Sequence, residues 1–322
     1  MKRFFLALIA SCTLSHTPDA TAQDRWPNRP IKLIVPFAAG GNTDAVARLA
    51  GSYLQNTLGV GVIIENRGGA GGIVGTDAVA KAAPDGYTFC VCSIGSISIA
   101  AVTERLPYDP LRDLIPISLL NTNPLVLLVH PALKVNSVQD LIALARAKPA
   151  GLSYASSGIG GLMYFSAELF KTRTSTQIVQ IPYRGGAPAT IALIAGEVQL
   201  AFTNMSDAVG QLEGGKVKAL AVTTAKRSPV APDLPTLAEQ GVGDYHIESW
   251  NGLFAPTGTP QPVIAKLAEI AAKMSADETL RKRMADIGSI AVANSPDEFS
   301  RLLREETAQW ANLVKEIASD SR

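Results

Sequence analysis

The sequence is poor in the residues that hold metal ions and carry out nucleophilic catalysis. Its 322 residues include three histidines and three cysteines. Removing residues 1–22 as a leader leaves two histidines, His130 and His246. It also leaves two cysteines, Cys90 and Cys92. Because no spacing typical of a zinc site is present, we expect neither a metal nor a cofactor.

The two remaining cysteines stand in an apolar run that predicts a strand. Cys90 and Cys92 are two positions apart, so their side chains point to the same face. In an ideal strand their Cα atoms would be about 6.5–7 Å apart, close to the limit for a disulfide. We therefore expect two buried free thiols.

Motifs of common catalytic and nucleotide-binding sites are also missing. The sequence has no G-x-S-x-G nucleophile elbow, and no G-x-G-x-x-G register fits the glycine-rich segment 67–75. Residues 210–216 match G-x-x-x-x-G-K, but Val217 follows where a P-loop needs serine or threonine. No nucleophile is paired with a histidine. These absences argue against an enzyme.

Net charge is almost absent as well. The chain has 29 basic and 28 acidic residues, with a formal charge of +1. Residues 1–22 contain Lys2, Arg3 and Asp19, so the chain without them is neutral. A neutral chain gives no reason to expect binding to nucleic acid or to an anionic membrane. We expect no nucleic-acid partner and a monomer.

The N-terminal segment has the features of a secretory signal. Residues 1–3 are a basic start, and residues 4–14 are an apolar run too short to span a bilayer. Residues 20–22 form a small-residue cleavage site. We predict a signal peptide over 1–22 and a periplasmic location. A lipoprotein-type box with Cys12 as the lipidated residue is the alternative.

Apolar strand-like runs alternate with segments of helical periodicity, which favours an α/β fold with a largely parallel sheet. Strands are predicted over 31–35, 60–65, 87–92, 114–121, 125–129, 152–155, 178–181, 198–202 and 217–222, with an extended segment over 245–254. Helices are predicted over 42–57, 72–82, 138–147, 162–170, 187–195, 206–212, 262–274 and 296–317.

Two extended, proline-marked passages separate a middle block from the rest of the chain. They are residues 121–124 and the segment between Pro229 and Gly243. We predict that lobe 1 is discontinuous and consists of residues 23–122 and 240–322. Lobe 2, residues 123–239, is then inserted into it.

The segment from Leu33 to Ala50 is organised as a strand, a glycine turn and a helix start. Gly40 and Gly41 make the turn, and from Asn42 the apolar residues recur at helical spacing. Asn42 and its neighbours supply N-cap chemistry. Such a junction leaves main-chain N–H groups unpaired, which makes it an anion site. A plain strand-to-helix connection is the alternative.

The same arrangement recurs in the middle block. A short strand, small residues and a helix start follow one another over residues 153–162. Residues 183–189 form another such junction, and residues 203–204 end a further strand. Each helix start carries about half a positive charge. If these helix starts meet in one cleft, they would hold a carboxylate without a buried lysine or arginine.

With these motifs in view, the sequence resembles the tripartite tricarboxylate transporter receptor family, the Bug-type extracytoplasmic solute receptors. The likeness covers nearly the whole chain after the leader. The motifs that carry it are WPNRP at 26–30, PFAAGG at 36–41 with Asp44, ENRGGAGG at 65–72, PDGYT at 84–88, YASSG at 154–158, PYRGGAP at 182–188, AVTTAKRSP at 221–229 and FAPTGTP at 254–260.

The resemblance implies a type II periplasmic binding protein-like fold, in which two α/β lobes close on a small organic carboxylate. The ligand class is mono-, di- or tricarboxylate. The implied partners are the permease subunits of a tripartite transporter, to which the receptor delivers its ligand. A soluble carboxylate sensor that presents its ligand to a signalling receptor is the alternative, and an enzyme on the same fold is less favoured.

The resemblance also implies which residues contact the ligand. Jaw 1 is residues 37–43 and jaw 2 is residues 156–161; a second group lies at strand ends or on a loop near the cleft. The jaw candidates are Phe37, Ala38, Gly40, Gly41, Asn42, Thr43, Ser156, Ser157, Gly158, Gly160 and Gly161. The second group is Ser93, Ser96, Tyr183, Gly185, Gly186, Ala187, Thr203, Asn204 and Trp250. An ordinary polar turn is the alternative for the two serines of that group, and core packing is the alternative for Trp250.

Three positions depart from the usual residues of the family. Many members have serine where this chain has Gly161, histidine where it has Tyr164, and aspartate where it has Thr203. The last change removes an acidic group that would pair with a ligand ammonium. We therefore expect a plain mono- or dicarboxylate, including an aromatic one, in preference to an amino acid.

Overall fold

The computed structural model describes residues 26–158, 160–183 and 185–320, so the predicted signal peptide and Cys12 lie outside the described residues. The strands are β1 Ile31–Val35, β2 Val62–Asn66, β3 Thr88–Ser93, β4 Leu114–Val129, β5 Ser153–Ser156, β6 Val179–Pro182, β7 Leu200–Asn204, β8 Lys218–Val222, β9 Glu248–Pro256 and β10 Ile290–Ala291. The helices are α1 Asn42–Leu58, α2 Ile73–Ala80, α3 Ala100–Thr103, α4 Val138–Ala147, α5 Leu162–Thr174, α6 Gly186–Ala195, α7 Met205–Glu213, α8 Gln261–Ala276, α9 Glu278–Asp286 and α10 Pro296–Asp320.

The α/β class is confirmed, but the sheet is mixed and not largely parallel. The main strand order is β2-β1-β3-β9-β4-β7-β5-β6. The outer strands β2, β1 and β3 pair in parallel, as do β7, β5 and β6. The central pairings that involve β4 and β9 are antiparallel. Strand β4 runs through both halves of the sheet, and β9 lies antiparallel to it and to β3.

The sheet falls into two halves. Strands β1, β2, β3 and β9 lie within the segments predicted as lobe 1, and β5 to β8 lie within the segment predicted as lobe 2. Strand β4 belongs to both, since residues 114–124 pair with β9 and residues 125–129 pair with β7 and β8. The exact lobe boundaries remain a prediction.

Strand β4 is continuous over 16 residues, so the predicted break at residues 121–124 is wrong. Pro124 lacks an N–H donor, but its fixed φ is compatible with an extended chain. It pairs in register with Glu248 of β9. The polar residues Asn121 and Asn123 are fully buried, and their side chains are hydrogen-bonded within the protein. A strand can therefore pass through a segment that looks like a linker.

The two cysteines form a disulfide, so the expectation of free thiols is wrong. Both side chains lie on the same face of β3, as their spacing predicts, and belong to one apolar cluster. Their Cα atoms are 5.4 Å apart, closer than in an ideal strand and well inside the range that a disulfide spans. The rise per residue between Cys90 and Cys92 is therefore smaller than in an ideal strand.

Helix ends illustrate what local sequence does and does not reveal. Helix α4 has its predicted bounds because Ser137 and Asp140 form a reciprocal capping box. Helix α9 was not predicted, since its sequence is highly charged and short. Its start is fixed by Asp277, whose side chain accepts a hydrogen bond from the N–H of Leu280.

Helix α10 packs against both halves of the molecule. Phe299 near its start contacts Trp250 of β9. Trp310, two-thirds of the way along, packs against Phe165 of α5. Burial of each such aromatic side chain stabilises the fold by about 1.5–3 kcal/mol. The helix therefore links lobe 1 to the helix that begins at jaw 2.

Candidate ligand-binding site

The junction between β1 and α1 presents free main-chain donors. Gly41 is the residue before the helix, is exposed, and has no capping side chain. The prediction that Asn42 and its neighbours cap the helix is therefore wrong. The N–H groups of the first helical turn, residues 42–44, have no acceptor within the helix. These N–H groups are therefore the donors that jaw 1 can offer to an anion.

Asp44 fixes the shape of this junction. Its carboxylate is buried and accepts hydrogen bonds from Gly40 N, Arg48 Nε and Asn66 Nδ2, each at 2.9 Å. Asn66 Nδ2 also donates to the carbonyl of Phe37 at 3.1 Å. Burial alone would raise the pKa of Asp44, but the hydrogen bonds from Arg48, Gly40 and Asn66 lower it. The N–H of Gly40 is thus used within the protein.

The glycine-rich segment 68–75 supports jaw 1 from behind. A Cβ on Gly72 would lie 2.9 Å from both Phe37 Cζ and Ser96 Cβ. A Cβ on Gly75 would lie 2.6 Å from the carbonyl oxygen of Arg67. These contacts leave no room for larger residues. The segment therefore serves close packing around the Phe37 ring, and it brings the predicted residues Phe37 and Ser96 together.

The junction between β5 and α5 forms jaw 2. Gly161 precedes the helix with an extended conformation and no capping side chain. The hydroxyl of Ser156 is buried and accepts a hydrogen bond from Gln180 Nε2 at 2.8 Å. Ser157 Oγ lies 3.0 Å from the position that a Cβ on Gly161 would take. Ser157 and the α5 amides are therefore the donors that remain at this jaw.

Jaw 2 approaches lobe 1 directly. A Cβ on Gly160 would lie 3.8 Å from Glu104 Oε1 and 3.9 Å from Thr103 Oγ1. Thr103 ends α3, and Glu104 follows it. The two halves of the molecule are therefore close together at this edge.

The starts of α5, α6 and α7 converge in lobe 2. A Cβ on Gly186, the first residue of α6, would lie 3.5 Å from Asp207 Oδ2 and 3.8 Å from Met163 Sδ. Met163 is in the first turn of α5, and Asp207 is in the first turn of α7. Gly185 has φ +114°, which favours glycine there. The predicted residues at the start of α6, including Ala187, are thus next to the starts of α5 and α7.

A buried network of amide side chains lies behind jaw 1. Asn42, Asn121 and Asn123 donate to Ser289 Oγ at 3.3, 3.2 and 2.8 Å. Asn251 Nδ2 donates to Asn42 Oδ1 at 2.6 Å and to Asn121 Oδ1 at 2.9 Å. All five residues are at most 8% exposed. We call these five residues the amide network.

The amide network connects the starts of α1 and α7. Asn123 Oδ1 accepts a hydrogen bond from the N–H of Met205, the first residue of α7, at 3.0 Å. Asn42, Ser289, Asn123 and Met205 therefore form one chain of hydrogen bonds between the lobes. Of these residues, only Asn42 was predicted from the sequence to belong to the site. Isolated asparagines within otherwise apolar strands were the signal that could have found them.

Trp250 lies in the core. It is 4% exposed, and its ring packs against Phe254 and Phe299. Its indole N–H donates to Glu306 Oε1 at 2.9 Å. Ser98 also donates to this carboxyl at 2.5 Å, and burial raises the pKa of Glu306. The side chain of Trp250 therefore has its polar group satisfied by the protein.

The remaining predicted residues divide between partnered and unpartnered groups. Ser96 Oγ donates to the carbonyl of Ser93 at 3.2 Å. The hydroxyl of Tyr183 faces Glu197 Oε2 at 3.4 Å. Thr203 Oγ1 and Asn204 Oδ1 are buried and have no hydrogen-bond partner among the described residues. These two atoms therefore have unused hydrogen-bonding capacity that a ligand could take up.

The two jaws and the start of α7 carry no basic side chain. Residues 36–43, 156–162 and 203–208 contain no lysine or arginine, whereas Arg184 directly precedes Gly185 at the α6 junction and lies outside the described residues. Across the described ranges, no group of three or more His, Cys, Asp or Glu residues is arranged to hold a metal ion. Likewise, none of the described helices combines the length and apolar character needed to cross a membrane. Anion binding at the two jaws would thus rely on main-chain N–H groups and hydroxyls.

Two α/β halves joined through β4 and β9, with helix starts from both halves at their junction, define a bilobal solute-binding protein of the type II-like class. A family model described as "Tripartite tricarboxylate transporter family receptor" matches residues 46–319, and the chain belongs to this family. The resemblance found in the sequence is confirmed. Protein BugT of Bordetella pertussis is 36% identical over 299 residues, which cover 92% of this chain and 91% of that protein.

Solved structures support the same fold. The structure described as R. palustris Rpa4515 with adipate has a TM-score of 0.87 and 37% identity, covering 91% of this chain and 98% of that chain. MatC (Rpa3494) from Rhodopseudomonas palustris with bound malate has a TM-score of 0.82 and 34% identity, covering 90% of this chain and 100% of that chain. The predicted fold class is confirmed.

Proposed function

We propose that this chain is a periplasmic solute receptor, secreted through a signal peptide over residues 1–22. It binds a small organic carboxylate between its lobes and delivers it to the permease subunits of a tripartite tricarboxylate-type transporter. The observation that carries the proposal is the presence of a helix start without a capping side chain at each jaw, one in each lobe, with no basic side chain in either jaw. The two related structures hold adipate and malate, which are both carboxylates.

Both jaws have to contribute for the site to work as a receptor. A hydrogen bond to a charged acceptor contributes about 1.5–3 kcal/mol, so the loss of one such bond weakens binding roughly 10- to 150-fold. A ligand that bonds both jaws favours the closed arrangement of the lobes over the open one. The protein is proposed to bind and release its ligand chemically unchanged, and not to act as an enzyme.

Gly41 offers a direct test of jaw 1. A Cβ at this position would meet nothing within 4 Å, and φ is −87°, so a side chain fits without strain. We expect Gly41→Val to fold normally but to lose at least 100-fold in affinity for adipate, malate or whichever carboxylate binds the wild type. Isothermal titration calorimetry measures this loss, and native mass spectrometry of the purified protein identifies any acid that copurifies.

The matched control is Gly243→Val. Gly243 also has open space around its Cβ position and no left-handed φ, but it lies in a loop outside both jaws. It should bind as the wild type does. Normal binding by Gly41→Val would show that jaw 1 is misplaced. N-terminal sequencing of the secreted protein tests cleavage after residue 22, and uptake of the labelled acid with and without the gene tests delivery.

A further inference from the structure

The start of α7 holds buried oxygen atoms that no described residue satisfies. They are Thr203 Oγ1, Asn204 Oδ1 and Ser206 Oγ. Thr203 is 0% exposed. A buried polar atom without a partner costs about 1–3 kcal/mol, and native proteins usually satisfy such atoms with water or a ligand. We call these three residues and Asp207 the acceptor subsite.

Asp207 gives the acceptor subsite a carboxyl. This carboxyl is hydrogen-bonded to the side chain of Asn204, and no lysine or arginine within residues 26–158, 160–183 and 185–320 shifts its pKa. Burial raises its pKa because the ionised form is poorly solvated. The position four residues later, where α1 has a pairing arginine, is Gln211. Among the residues that the structure describes, this carboxyl therefore has no cationic partner.

The acceptor subsite adjoins jaw 2. Asp207 Oδ2 and Met163 Sδ both flank the same point beside Gly186, at 3.5 and 3.8 Å from its Cβ position. Met163 belongs to the first turn of α5, which begins at jaw 2. Thr203 is on the same face of β7 as Ala201, which packs with the apolar residues of α6 and α7. The acceptor subsite would therefore be a neighbour of a ligand carboxylate bound at jaw 2.

The two parts of the cleft have opposite hydrogen-bonding character. The jaws offer N–H and hydroxyl donors, whereas the acceptor subsite offers a carboxyl and an amide oxygen beside two hydroxyls. We infer that the ligand carries a hydrogen-bond donor, a hydroxyl or an ammonium, close to the carboxylate that the jaws hold, and that the acceptor subsite binds this donor. This inference rests on the proposed function and names the substrate class.

The inference reverses an expectation drawn from position 203 alone. Thr203 stands where many family members have aspartate, which suggested a ligand without an ammonium. The structure shows that Asp207 places a carboxyl in the same region from the next helix. A plain dicarboxylate would bring a second negative charge towards this carboxyl, and like charges disfavour each other in a partly buried site.

Matched acids that differ by one group provide the test. Isothermal titration calorimetry on the full chain would compare succinate, malate and aspartate, and then glutarate, 2-hydroxyglutarate and glutamate. We expect the hydroxy or amino member of at least one series to bind the wild type at least 10-fold more tightly than the plain acid. Which of the two binds more tightly then identifies the donor.

The variant Asp207→Asn should reduce this preference at least 10-fold and should improve binding of the plain acid. Asp233→Asn, at an exposed carboxylate of lobe 2, is the control and should keep the wild-type ratio of the affinity for the hydroxy or amino acid to the affinity for the plain acid. Thr203→Val, which removes one unpartnered hydroxyl at nearly constant volume, is a second variant and should also lower this affinity ratio. Thermal melting monitored by circular dichroism establishes that each variant is folded.

The outcomes separate the two proposals. Equal or tighter binding of the plain acids by the wild type overturns the inference and leaves the receptor function in place. An unchanged ratio in Asp207→Asn also overturns it. Failure of every carboxylate to bind the wild type would overturn the proposed function, and the inference with it.

Discussion

Helices α1 and α7 each have an aspartate as their third residue, but the two carboxylates have opposite surroundings. Asp44 of α1 accepts hydrogen bonds from Arg48, Asn66 and a main-chain N–H. Asp207 of α7 is hydrogen-bonded to the side chain of Asn204, and none of the described lysines or arginines shifts its pKa. Their pKa values shift in opposite directions, lowered for Asp44 and raised for Asp207. One carboxylate holds a turn in shape, whereas the other keeps its bonding capacity for something outside the protein.

The comparison shows that position on a helix does not determine a role. An acidic group in a first helical turn is favoured by the helix dipole in both cases. The difference arises from the residue four positions later and from the strand alongside. In α1 these are Arg48 and Asn66, while α7 has Gln211 at the corresponding place. We expect stability to depend on the first carboxylate and ligand choice on the second.

Loss of Asp44 should have the largest effect on stability. Asp44→Ala removes the acceptor of the Gly40 N–H, one of the two acceptors of Asn66 Nδ2, and the ionic partner of Arg48. We expect a loss of about 3 kcal/mol in the free energy of unfolding, because a hydrogen bond to an ionised acceptor contributes about 1.5–3 kcal/mol and the bonds from the exposed Gly40 and Arg48 contribute less. Urea unfolding measures it, and Asp233→Ala is the exposed control. A loss below about 1 kcal/mol would contradict the structural role of this carboxylate.

Ser289 links the starts of α1 and α7, and its loss should have the second-largest effect on stability. Ser289→Ala removes the acceptor shared by Asn42, Asn121 and Asn123. We expect a loss of about 2 kcal/mol, because the buried amides keep some of their other partners. Ligand affinity should fall too, since Asn42 is in jaw 1. Calorimetry and urea unfolding measure both effects. Ser52→Ala, at an exposed serine of α1, is the control and should change neither the free energy of unfolding nor the ligand affinity. If Ser289→Ala changed these two quantities no more than Ser52→Ala does, the proposed role of Ser289 in linking the helix starts would be contradicted.

Replacing Asp207 should have the smallest effect on the free energy of unfolding, and it should stabilise the protein. The folded-state pKa of Asp207 is raised, so folding is penalised once pH rises above the unfolded value of about 3.9. Asp207→Asn should therefore stabilise the protein at pH 7 by about 1 kcal/mol, and the gain should vanish near pH 3. Asp44→Asn should destabilise at pH 7, and its deficit should shrink as pH falls through the lowered pKa of Asp44. Melting temperatures between pH 3 and 7 test both signs.

The sequence was most informative where a structure depends on neighbouring residues. Helix α4 could be predicted because Ser137 and Asp140 cap it within four positions. The β1–α1 junction could be predicted from an apolar run followed by two glycines. In each case the partners are close in sequence, so a pattern of spacing contains the necessary information.

Long-range partners explain what the sequence did not reveal. Nothing near Asn123 or Ser289 in sequence indicates that their side chains meet, since 166 positions separate them. Pro124 looks like the end of a strand until β9 is found paired beside it. The raised pKa of Asp207 depends on the burial of its carboxyl by residues that are distant in sequence. Such features arise from the tertiary arrangement, and a pattern along the chain does not record them.

Strand β4 has a consequence for how the two halves can move. Its first eleven residues are bonded to one half and its last five to the other, without an intervening loop. A rearrangement of the lobes must therefore twist a paired strand near Pro124, because no slack segment there can unfold. Twisting a hydrogen-bonded ribbon costs little over small angles and much over large ones. The opening and shutting of the cleft should consequently be a rotation of limited amplitude about a defined axis.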